Sequence, residues 1–250
     1  MPNKRTSIIL NYLKEKKYMR LKDICALFPE YNEMTIRRDL IFLENNGYIV
    51  RTHGGAEIRE ENIVESFSYN NRSLSMIQEK RQIGVKASLL LKEKILIFLD
   101  AGTTNLEFAK IMPDMPLFVV TNCPIICVEL AKKEKVDVIM VGGMLSKSAI
   151  SISGTEFMKS LNAIVNIAFL GSAGFSLENG FSDSHMSETE FKKYIVSSSE
   201  KTIILMDHSK IGKDRRFAFA KLEDVDGIIC DKPFDEKVTE KLIENNVTMF

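Results

Sequence analysis

Residues 33–58, EMTIRRDLIFLENNGYIVRTHGGAEI, decide the fold of the N-terminal part of the chain. Ile36, Leu40 and Leu43 recur with the spacing of one buried helical face, which predicts a helix from about residue 33 to residue 46. In the rest of the stretch, two short strands flank a Gly-Gly turn, which predicts a β-hairpin directly after the helix.

The hairpin is predicted residue by residue from turn chemistry and the flanking apolar residues. Tyr48–Arg51 forms the outgoing strand, and residues 56–58 begin the returning strand. His53, Gly54 and Gly55 form the tight turn, because glycine accepts backbone conformations that other residues avoid. The hairpin follows the helix at once, so we expect it to pack against the helix as a wing.

Two more helices are predicted upstream of this stretch. Apolar residues over 8–13 predict a first helix of about three turns, and residues 21–28 predict a short second helix. Pro29 ends the second helix because its ring cannot continue the hydrogen-bond ladder. Asn32 stands where the third helix needs an N-cap. Three helices and a wing predict a winged helix-turn-helix over residues 1–57, an arrangement that binds DNA.

Polar side chains outside the buried face of the third helix are the predicted DNA contacts. They lie near its N-terminal end, the end that a recognition helix inserts into the major groove. The wing adds side chains that are placed to reach phosphates or a minor groove. The predicted DNA-binding residues are Asn32, Thr35, Arg37, Arg38, Arg51 and His53. The pattern leaves one alternative open, an ordinary α+β subdomain with solvated arginines.

The distribution of charge agrees with a DNA-binding domain at residues 1–57, which we call the head. The domain at residues 76–250 is called the body. The whole chain has a formal net charge of zero, but residues 1–56 contain ten Lys/Arg and six Asp/Glu, a net charge of +4. The remaining residues therefore have a net charge of −4. A basic head on an acidic body is the arrangement expected of a DNA-binding domain joined to a sensor domain.

Beyond a polar connector at residues 58–75, mainly apolar runs alternate with helical stretches. Such runs are typical of strands buried on both faces of a parallel sheet, and they occupy residues 95–99, 117–120, 136–141, 164–170, 202–206 and 227–230. Helices are predicted from residue 78 and at residues 105–111, 124–134 and 188–199. This alternation predicts a doubly wound α/β domain over residues 76–250.

Small and hydrogen-bonding residues follow five of the predicted strands. Because the carboxyl ends of parallel strands meet at one edge of the sheet, we expect these residues to line one ligand site. Backbone donors at the helix start after Asp100 suit a phosphate, and the Asp100 carboxylate suits sugar hydroxyls. Each strand end, considered alone, is explained equally well as a capped turn without a ligand. The candidate residues are Asp100, Gly102, Thr103, Thr104, Thr121, Asn122, Gly142, Gly143 and Lys210.

Other classes of site lack their sequence signatures. Dinucleotide-binding, P-loop and serine-hydrolase motifs do not occur in the sequence. The four cysteines are scattered, so we expect free thiols and neither a metal site nor a cofactor. No apolar run approaches the ~18 residues of a membrane span. We therefore expect no membrane partner and a cytoplasmic protein.

The order of motifs along the chain resembles that of the DeoR family of bacterial transcription regulators. The head contains TIRRDLIFLE at residues 35–44 and GYIVRTHGGA at residues 47–56. The body contains EKRQI at 79–83, FLDAGTT at 98–104, VTN at 120–122, two glycines at 142–143, FLGSAG at 169–174 and DHSK at 207–210. The resemblance covers nearly the whole chain.

This resemblance implies a winged helix-turn-helix joined to a sensor domain that is related in fold to ribose-5-phosphate isomerase. It implies a repressor of sugar-metabolism genes that binds double-stranded operator DNA under the control of a phosphorylated sugar. By position, the resemblance implies that the candidate residues of the head contact DNA and that those at the strand ends bind the effector. It also adds Glu188, which matches a glutamate that the family places before a helix.

Two other functions stay open from the sequence. The body could be an enzyme that acts on phosphosugars, but the loop at residues 172–175, Ser-Ala-Gly-Phe, lacks the carboxylates of the isomerase, so we expect no enzyme. Alternatively, a sugar-phosphate-binding body could have a head that docks onto a protein. Helix-turn-helix proteins commonly bind paired half-sites, so we expect a homodimer or a homotetramer.

Overall fold

A computed structural model of the chain describes residues 4–45, 48–58 and 69–250. The chain divides into two compact units, Met1–Ser75 and Met76–Phe250, and each is described by itself. Residues 59–68 of the predicted connector lie outside the described residues. The last part of the connector forms a short helix, Tyr69–Leu74.

The first unit combines helices with a three-stranded antiparallel sheet. Its elements are α1 (Lys4–Lys16), β1 (Tyr18–Arg20), α2 (Leu21–Ala26), α3 (Glu33–Asn45), β2 (Ile49–Thr52), β3 (Gly55–Ile58) and α4 (Tyr69–Leu74). The three predicted helices and the hairpin are present, which confirms the winged helix-turn-helix. The sequence pattern does not predict β1, because three residues between two helices are too few to show a period of two. β1 pairs with β3, which forms the centre of the sheet.

The core of this unit consists of the apolar residues that helical spacing places inward. Ile36, Leu40 and Leu43 of α3 are buried, as predicted. They pack in one cluster with Ile9 and Leu13 of α1 and with residues of α2 and the sheet. Each fully buried aliphatic side chain contributes roughly 1.5–3 kcal/mol to folding. This cluster therefore fixes the position of α3 against the wing.

The second unit is a larger α/β fold. Its elements are α5 (Ile77–Ser88), β4 (Leu96–Leu99), α6 (Thr103–Ile111), β5 (Leu117–Thr121), α7 (Pro124–Leu130), β6 (Val136–Met140), β7 (Met144–Ser146), β8 (Ser151–Ser153), α8 (Thr155–Leu161), β9 (Ile167–Gly171), β10 (Gly174–Ser176), β11 (Gly180–Asp183), α9 (Met186–Ser198), β12 (Thr202–Leu205), β13 (Phe217–Ala220), β14 (Gly227–Ile229), α10 (Glu236–Glu244) and β15 (Thr248–Met249). The six predicted strands correspond to β4, β5, β6, β9, β12 and β14.

A parallel sheet of seven strands forms the centre of this unit, in the order β15-β14-β12-β9-β4-β5-β6. Helices cover both of its faces. Phe98 of β4 packs on Phe191 of α9, whereas Phe169 of β9 packs on Phe108 of α6, with ring centroids 5.8 and 5.0 Å apart. The doubly wound α/β class is therefore confirmed.

The strand order reverses between β4 and β9. The chain runs from β4 through β5 to β6 on one side, and β9, β12 and β14 then continue on the other side of β4. At such a reversal the connecting helices leave to opposite faces, so a crevice is expected beyond the carboxyl ends of the two strands. Two small additions, the β10-β11-β13 sheet and the β7-β8 hairpin, are not predicted because most of their strands have only three residues.

Candidate functional site

The N-terminal end of α3 is held by the predicted cap. The Asn32 side chain accepts hydrogen bonds from the Thr35 backbone N–H at 2.9 Å and from the Thr35 hydroxyl at 2.8 Å. This cap satisfies a donor that the first turn of a helix leaves without a partner. It also orients Thr35, so Asn32 has a structural role at the N-terminal end of α3.

The two predicted arginines of α3 differ in their partners. Arg37 forms an ion pair with Glu33 one turn earlier, at 2.7 Å, and both side chains are exposed. Arg38 is exposed and forms no ion pair with any residue that the structure describes. To bind DNA, Arg37 would first have to leave Glu33. Arg38 has no such ion pair with a described residue.

The wing is fastened to α3 through Arg51. The Glu44 carboxylate accepts from Arg51 Nε at 2.6 Å and from the Arg51 backbone N–H at 3.1 Å. Arg37, Arg51 and His53 line one cleft of about 140 Å³ between α3, the start of α2 and the wing turn. The structure thus brings three of the predicted DNA contacts together, whereas Thr35 and Arg38 are not among the cleft residues.

A buried ion pair that the sequence reasoning missed connects α1 to α3. Arg5 donates through Nε and Nη2 to the Asp39 carboxylate, with the Nη2–Oδ1 distance 3.1 Å, and its guanidinium carbon lies 4.1 Å from the centre of the Tyr31 ring. The hydrogen bond to Asp39 raises the pKa of Arg5 above its usual value. The sequence contains one sign of this pair: Asp39 directly precedes Leu40, one of the buried positions of α3.

In the second unit, Asp100 lies where the strand order reverses. It directly follows β4 and is buried. Its Oδ2 accepts from the Gly171 backbone N–H at 3.1 Å, and Gly171 ends β9. The same oxygen lies 3.0 Å from Lys192 Nζ of α9. The predicted residue is therefore at the expected place, held between the two strands of the crevice.

Lys192, which the sequence reasoning missed, is the centre of a buried polar cluster. Its Nζ donates to the Gly171 carbonyl at 2.6 Å and to Asp183 Oδ2 at 2.5 Å. Nζ also lies 5.0 Å from the centre of the Phe219 ring. We call Asp100, Asp183 and Lys192 the charged cluster. It contains two carboxyl groups and one ammonium.

Burial and pairing shift the protonation equilibria of the charged cluster. Burial raises the pKa of Asp100 to about 6, although Lys192 acts in the opposite direction. Burial also disfavours the charged form of Lys192, but the two carboxylates outweigh it and raise the pKa of Lys192 above its usual value. Burial therefore makes the charged form of Asp100 costly, while the ammonium of Lys192 is stabilised by its carboxyl partners.

Thr121 and Asn122, at the end of β5, hydrogen-bond the backbone at the end of the neighbouring strand β4. Thr121 donates to the Leu99 carbonyl at 2.8 Å and accepts from the Cys123 N–H at 3.1 Å. Asn122 accepts from the Ala101 N–H at 2.7 Å. Both residues are buried, so they shape the loop that follows Asp100.

The start of α6 is the more open side of the crevice. Gly102 has an extended backbone, and a Cβ atom added there would meet no heavy atom within 4 Å. Thr103 is buried and Thr104 is half-buried. Asn105 is fully buried and donates to the Phe169 carbonyl at 3.3 Å, but its Oδ1 has no partner among the described residues.

Gly142, Gly143 and Glu188 belong to the β7-β8 hairpin and its attachment. The glycines precede β7, and Gly143 has a φ of +150°, a conformation that favours glycine. Glu188, in the first turn of α9, accepts from the Ser151 hydroxyl of β8 at 2.8 Å. In the structure, Glu188 ties this hairpin to the helix that supplies Lys192.

Lys210 lies in a short 3-10 turn, His208–Lys210, after β12. Asp207 caps this turn by accepting from the Ser209 N–H at 3.0 Å. His208 is anchored by Asp231, which accepts from its backbone N–H and pairs with Nδ1, both at 2.7 Å. The turn lies two strands away from β4, on the β12 and β14 side of the crevice.

Arg215 is a further cation near the crevice that the sequence reasoning missed. Its Nε donates to the Ala173 carbonyl at 3.1 Å, and its backbone N–H donates to the Ser182 hydroxyl at 2.9 Å. Ala173 is two residues beyond Gly171, and Ser182 precedes Asp183, so Arg215 lies at the rim of the charged cluster. Its side chain is exposed.

Among residues 4–45, 48–58 and 69–250, no group of His, Cys, Asp and Glu is arranged to hold a metal ion. Within the same ranges, no helix is long and apolar enough to cross a membrane. The four cysteines are free thiols.

Comparisons with known proteins cover nearly the whole chain. The model of the DeoR-like helix-turn-helix domain matches residues 5–62, and that of the DeoR C-terminal sensor domain matches residues 75–232. An uncharacterized HTH-type transcriptional regulator of Bacillus subtilis, YulB, is 34% identical over 97% of this chain and 94% of its own. The HTH-type transcriptional repressor GlcR of the same species is 30% identical, over 98% and 94%.

Among solved structures, ribose-5-phosphate isomerase A from Neisseria gonorrhoeae matches 55% of this chain and 54% of its own, with a TM-score of 0.42 and 16% identity. The full-length sequence relatives are named as transcriptional regulators rather than as enzymes. With both family domains matched in order, the chain belongs to the DeoR family of DNA-binding transcription regulators.

Proposed function

We propose that this regulator represses genes of sugar metabolism and that a phosphorylated sugar, bound at the crevice between β4 and β9, modulates its binding to operator DNA. The observation that favours this most is the charged cluster at the reversal of strand order. Two buried carboxyl groups around one ammonium are costly to maintain, and such groups concentrate at functional sites. The name of the relative GlcR supports the role of repressor.

The charge of the cluster indicates how the sugar is oriented. A phosphate next to two carboxylates and one ammonium would be repelled, whereas hydroxyl groups can donate to the carboxylate oxygens. We therefore place the hydroxyl end of the sugar towards Asp100. The half-buried residues Ser172 and Ala173 directly follow Gly171 and border the same place.

Two features are suited to the phosphate. The start of α6 offers the backbone N–H groups of Thr103 and Thr104 and the positive end of a nine-residue helix. On the opposite rim, Arg215 is held through Nε, so its remaining N–H donors form a preorganised fork of the kind that binds phosphate. Both lie outside the charged cluster, as the proposed orientation of the sugar requires.

The head provides the DNA contacts in this proposal. Thr35, Arg37 and Arg38 contact the major groove, and Arg51 and His53 contact phosphates from the wing. We further propose a cytoplasmic homodimer or homotetramer, since two heads are needed for paired half-sites. Its divisions would be the head at 1–57, the connector at 58–75 and the sensor at 76–250, with the connector transmitting the response.

Gly102→Ala provides the sharpest test of the sensor site. The added methyl group meets open space and the backbone is extended, so we expect unchanged stability and unchanged operator affinity without effector. If the phosphate approaches this backbone, the methyl group will weaken effector binding by at least about tenfold, which corresponds to roughly 1.4 kcal/mol. A thermal-shift screen across phosphosugars identifies the ligand, because a ligand that binds the folded state raises its melting temperature.

A matched pair in one loop tests the opposite rim. Arg215→Ala should weaken the phosphosugar response, whereas Lys213→Ala, which removes an exposed cation two residues away, should leave it unchanged. The corresponding sugar without phosphate serves as the ligand control. A wild-type response in both Gly102→Ala and Arg215→Ala would place the effector site elsewhere, while operator binding would still be measured independently.

A further inference from the structure

Arg20, at the junction of β1 and α2, is a cation that none of the predicted DNA contacts includes. The residues of β1 alternate in burial: Tyr18 and Arg20 are exposed, and Met19 between them is buried in the core. Successive side chains of a strand point to opposite faces of a sheet. Arg20 therefore projects from the outer face of the wing sheet, away from the core of the head.

The backbone at Arg20 is in direct contact with the wing turn. Arg20 pairs with Gly55 in the antiparallel register of β1 and β3, and the Leu21 N–H donates to the Gly54 carbonyl at 2.9 Å. A Cβ atom at Gly55 would lie 2.8 Å from Arg20 Cα and 2.1 Å from the Met19 carbonyl oxygen. The approach is so close that Arg20 keeps a fixed position beside the wing.

Arg20 is also available for a ligand. Arg37 and Arg51 are each held by a glutamate, at 2.7 and 2.6 Å. Arg20, by contrast, forms no ion pair or side-chain hydrogen bond with any residue in the described ranges. It occupies the N-cap position of α2, where acceptor side chains are usual, and makes no cap bond there.

The register places the two arginines of the wing sheet on opposite faces. Arg51 pairs with Ala56, which in turn pairs with Met19, so Arg51 shares the inward face and meets Glu44 of α3. Arg20 alternates with Met19 and lies on the other face. A wing that enters a groove of DNA has a phosphate strand on each side of it, and the two arginines match these two strands.

We propose that Arg20 binds a DNA phosphate on the side of the wing that faces away from α3. The contact positions the wing without sequence readout, since phosphates are the same at every base step. This inference rests on the operator binding proposed above, and it adds a second anchoring side to the wing. Its ligand is the phosphate backbone of double-stranded DNA.

Salt titration of DNA binding tests the proposal on the full chain. Operator duplexes are first selected from random sequence with the wild-type protein, and affinities are then measured by fluorescence anisotropy over a range of KCl concentrations. Removing one phosphate contact lowers the slope of log K against log salt by about 0.9 per protomer. At 0.15 M salt this corresponds to about a fivefold loss of affinity per protomer for Arg20→Ala. The loss should be equal for the operator and for an unrelated duplex.

Two variants control for effects on folding and on overall charge. Arg20→Lys keeps the charge and should restore most of the affinity and of the salt slope. Lys237→Ala removes an exposed cation of α10 in the other unit, and should change neither. An Arg20→Ala protein with wild-type affinity and slope overturns the inference while operator binding stands. A wild-type chain that binds no DNA overturns both proposals.

Discussion

The Lys192 ammonium lies 3.0 Å from Asp100 and also bonds the Asp183 carboxylate and the Gly171 carbonyl. One side chain of α9 thus joins the ends of β4, β9 and β11. Its own exposure is 6%, so water contributes little to the solvation of these charges. We therefore expect the arrangement of these strand ends to depend on the Lys192 ammonium.

Lys192→Met should strongly destabilise the second unit. The substitution keeps a flexible side chain of similar length but leaves two buried carboxyl groups without their cation. Breaking a buried ion pair by removing one partner costs about 3–5 kcal/mol. Chemical denaturation of the full chain measures the loss. Lys193→Met is the matched control: Lys193 is 52% exposed and pairs with the exposed Glu190, so its change should stay within about 0.5 kcal/mol.

Asp100→Asn should have the opposite effect on stability at pH 7. Asparagine keeps the shape of the side chain, and its oxygen can accept from Gly171 N–H or Lys192. The substitution leaves Lys192 with one carboxyl partner and removes the cost of burying the Asp100 charge. We expect an equal or a larger free energy of unfolding than in the wild type. A loss comparable to that of Lys192→Met would show that the carboxylate charge itself is required.

The free energy of unfolding should depend on pH because of the raised pKa of Asp100. The pKa of Asp100 is raised by burial from an ordinary value of 3.8 to about 6. The folded state therefore retains a proton that the unfolded state releases, so the contribution of Asp100 to stability is present at low pH and is lost as the pH rises through 6. The stability of Asp100→Asn relative to wild type should increase between about pH 4 and 6 and then level off.

Much of the fold follows from local patterns in the sequence. The 3.6-residue period of Ile36, Leu40 and Leu43 identifies α3, and six apolar runs identify six of the seven strands of the large sheet. These signals are strong because burial constrains every residue of a long segment. The strands β1 and β15 have three residues or fewer, which is too short for a period to appear.

The site could be predicted only in part, because its centre is assembled from distant segments. Asp100 follows an apolar strand and precedes a helix, so its place at the sheet edge can be read from local sequence. Lys192 lies on a helix among other charged residues, and only the folded chain shows that its neighbours are Asp100 and Asp183. The same holds for Arg5 and Asp39, which are 34 residues apart.

The ion pair between α1 and α3 should matter more for stability than the exposed ion pair between Glu33 and Arg37. Asp39→Ala leaves the largely buried Arg5 without its partner, and we expect local destabilisation of about 1–3 kcal/mol. Glu33→Ala removes the exposed Arg37 pair and should cost no more than about 0.5 kcal/mol. Hydrogen exchange of α1 and α3 in the full chain measures both. Equal protection in the two variants would contradict this order.

Gly54 of the wing turn and Gly55, the first residue of β3, should respond differently to the same substitution. A Cβ atom at Gly55 would lie 2.1 Å from the Met19 carbonyl oxygen, a contact with backbone that no side-chain rotation relieves. At Gly54 the nearest atom would be the Tyr18 hydroxyl, at 3.9 Å, which is ordinary contact. We expect Gly55→Ala to separate β1 from β3 and to weaken operator binding at least about tenfold, roughly 1.4 kcal/mol.

Gly54→Ala should retain a wild-type fold and most of the affinity for operator DNA. Comparing it with Gly55→Ala therefore distinguishes a change in the shape of the wing from the effect of an added methyl group. Anisotropy titrations with operator DNA report binding, and hydrogen exchange of residues 48–58 reports the pairing of the strands. If Gly55→Ala exchanged and bound as the wild type does, β1 would not be needed to hold the wing. Arg20 would then lose the fixed position from which it is inferred to bind phosphate.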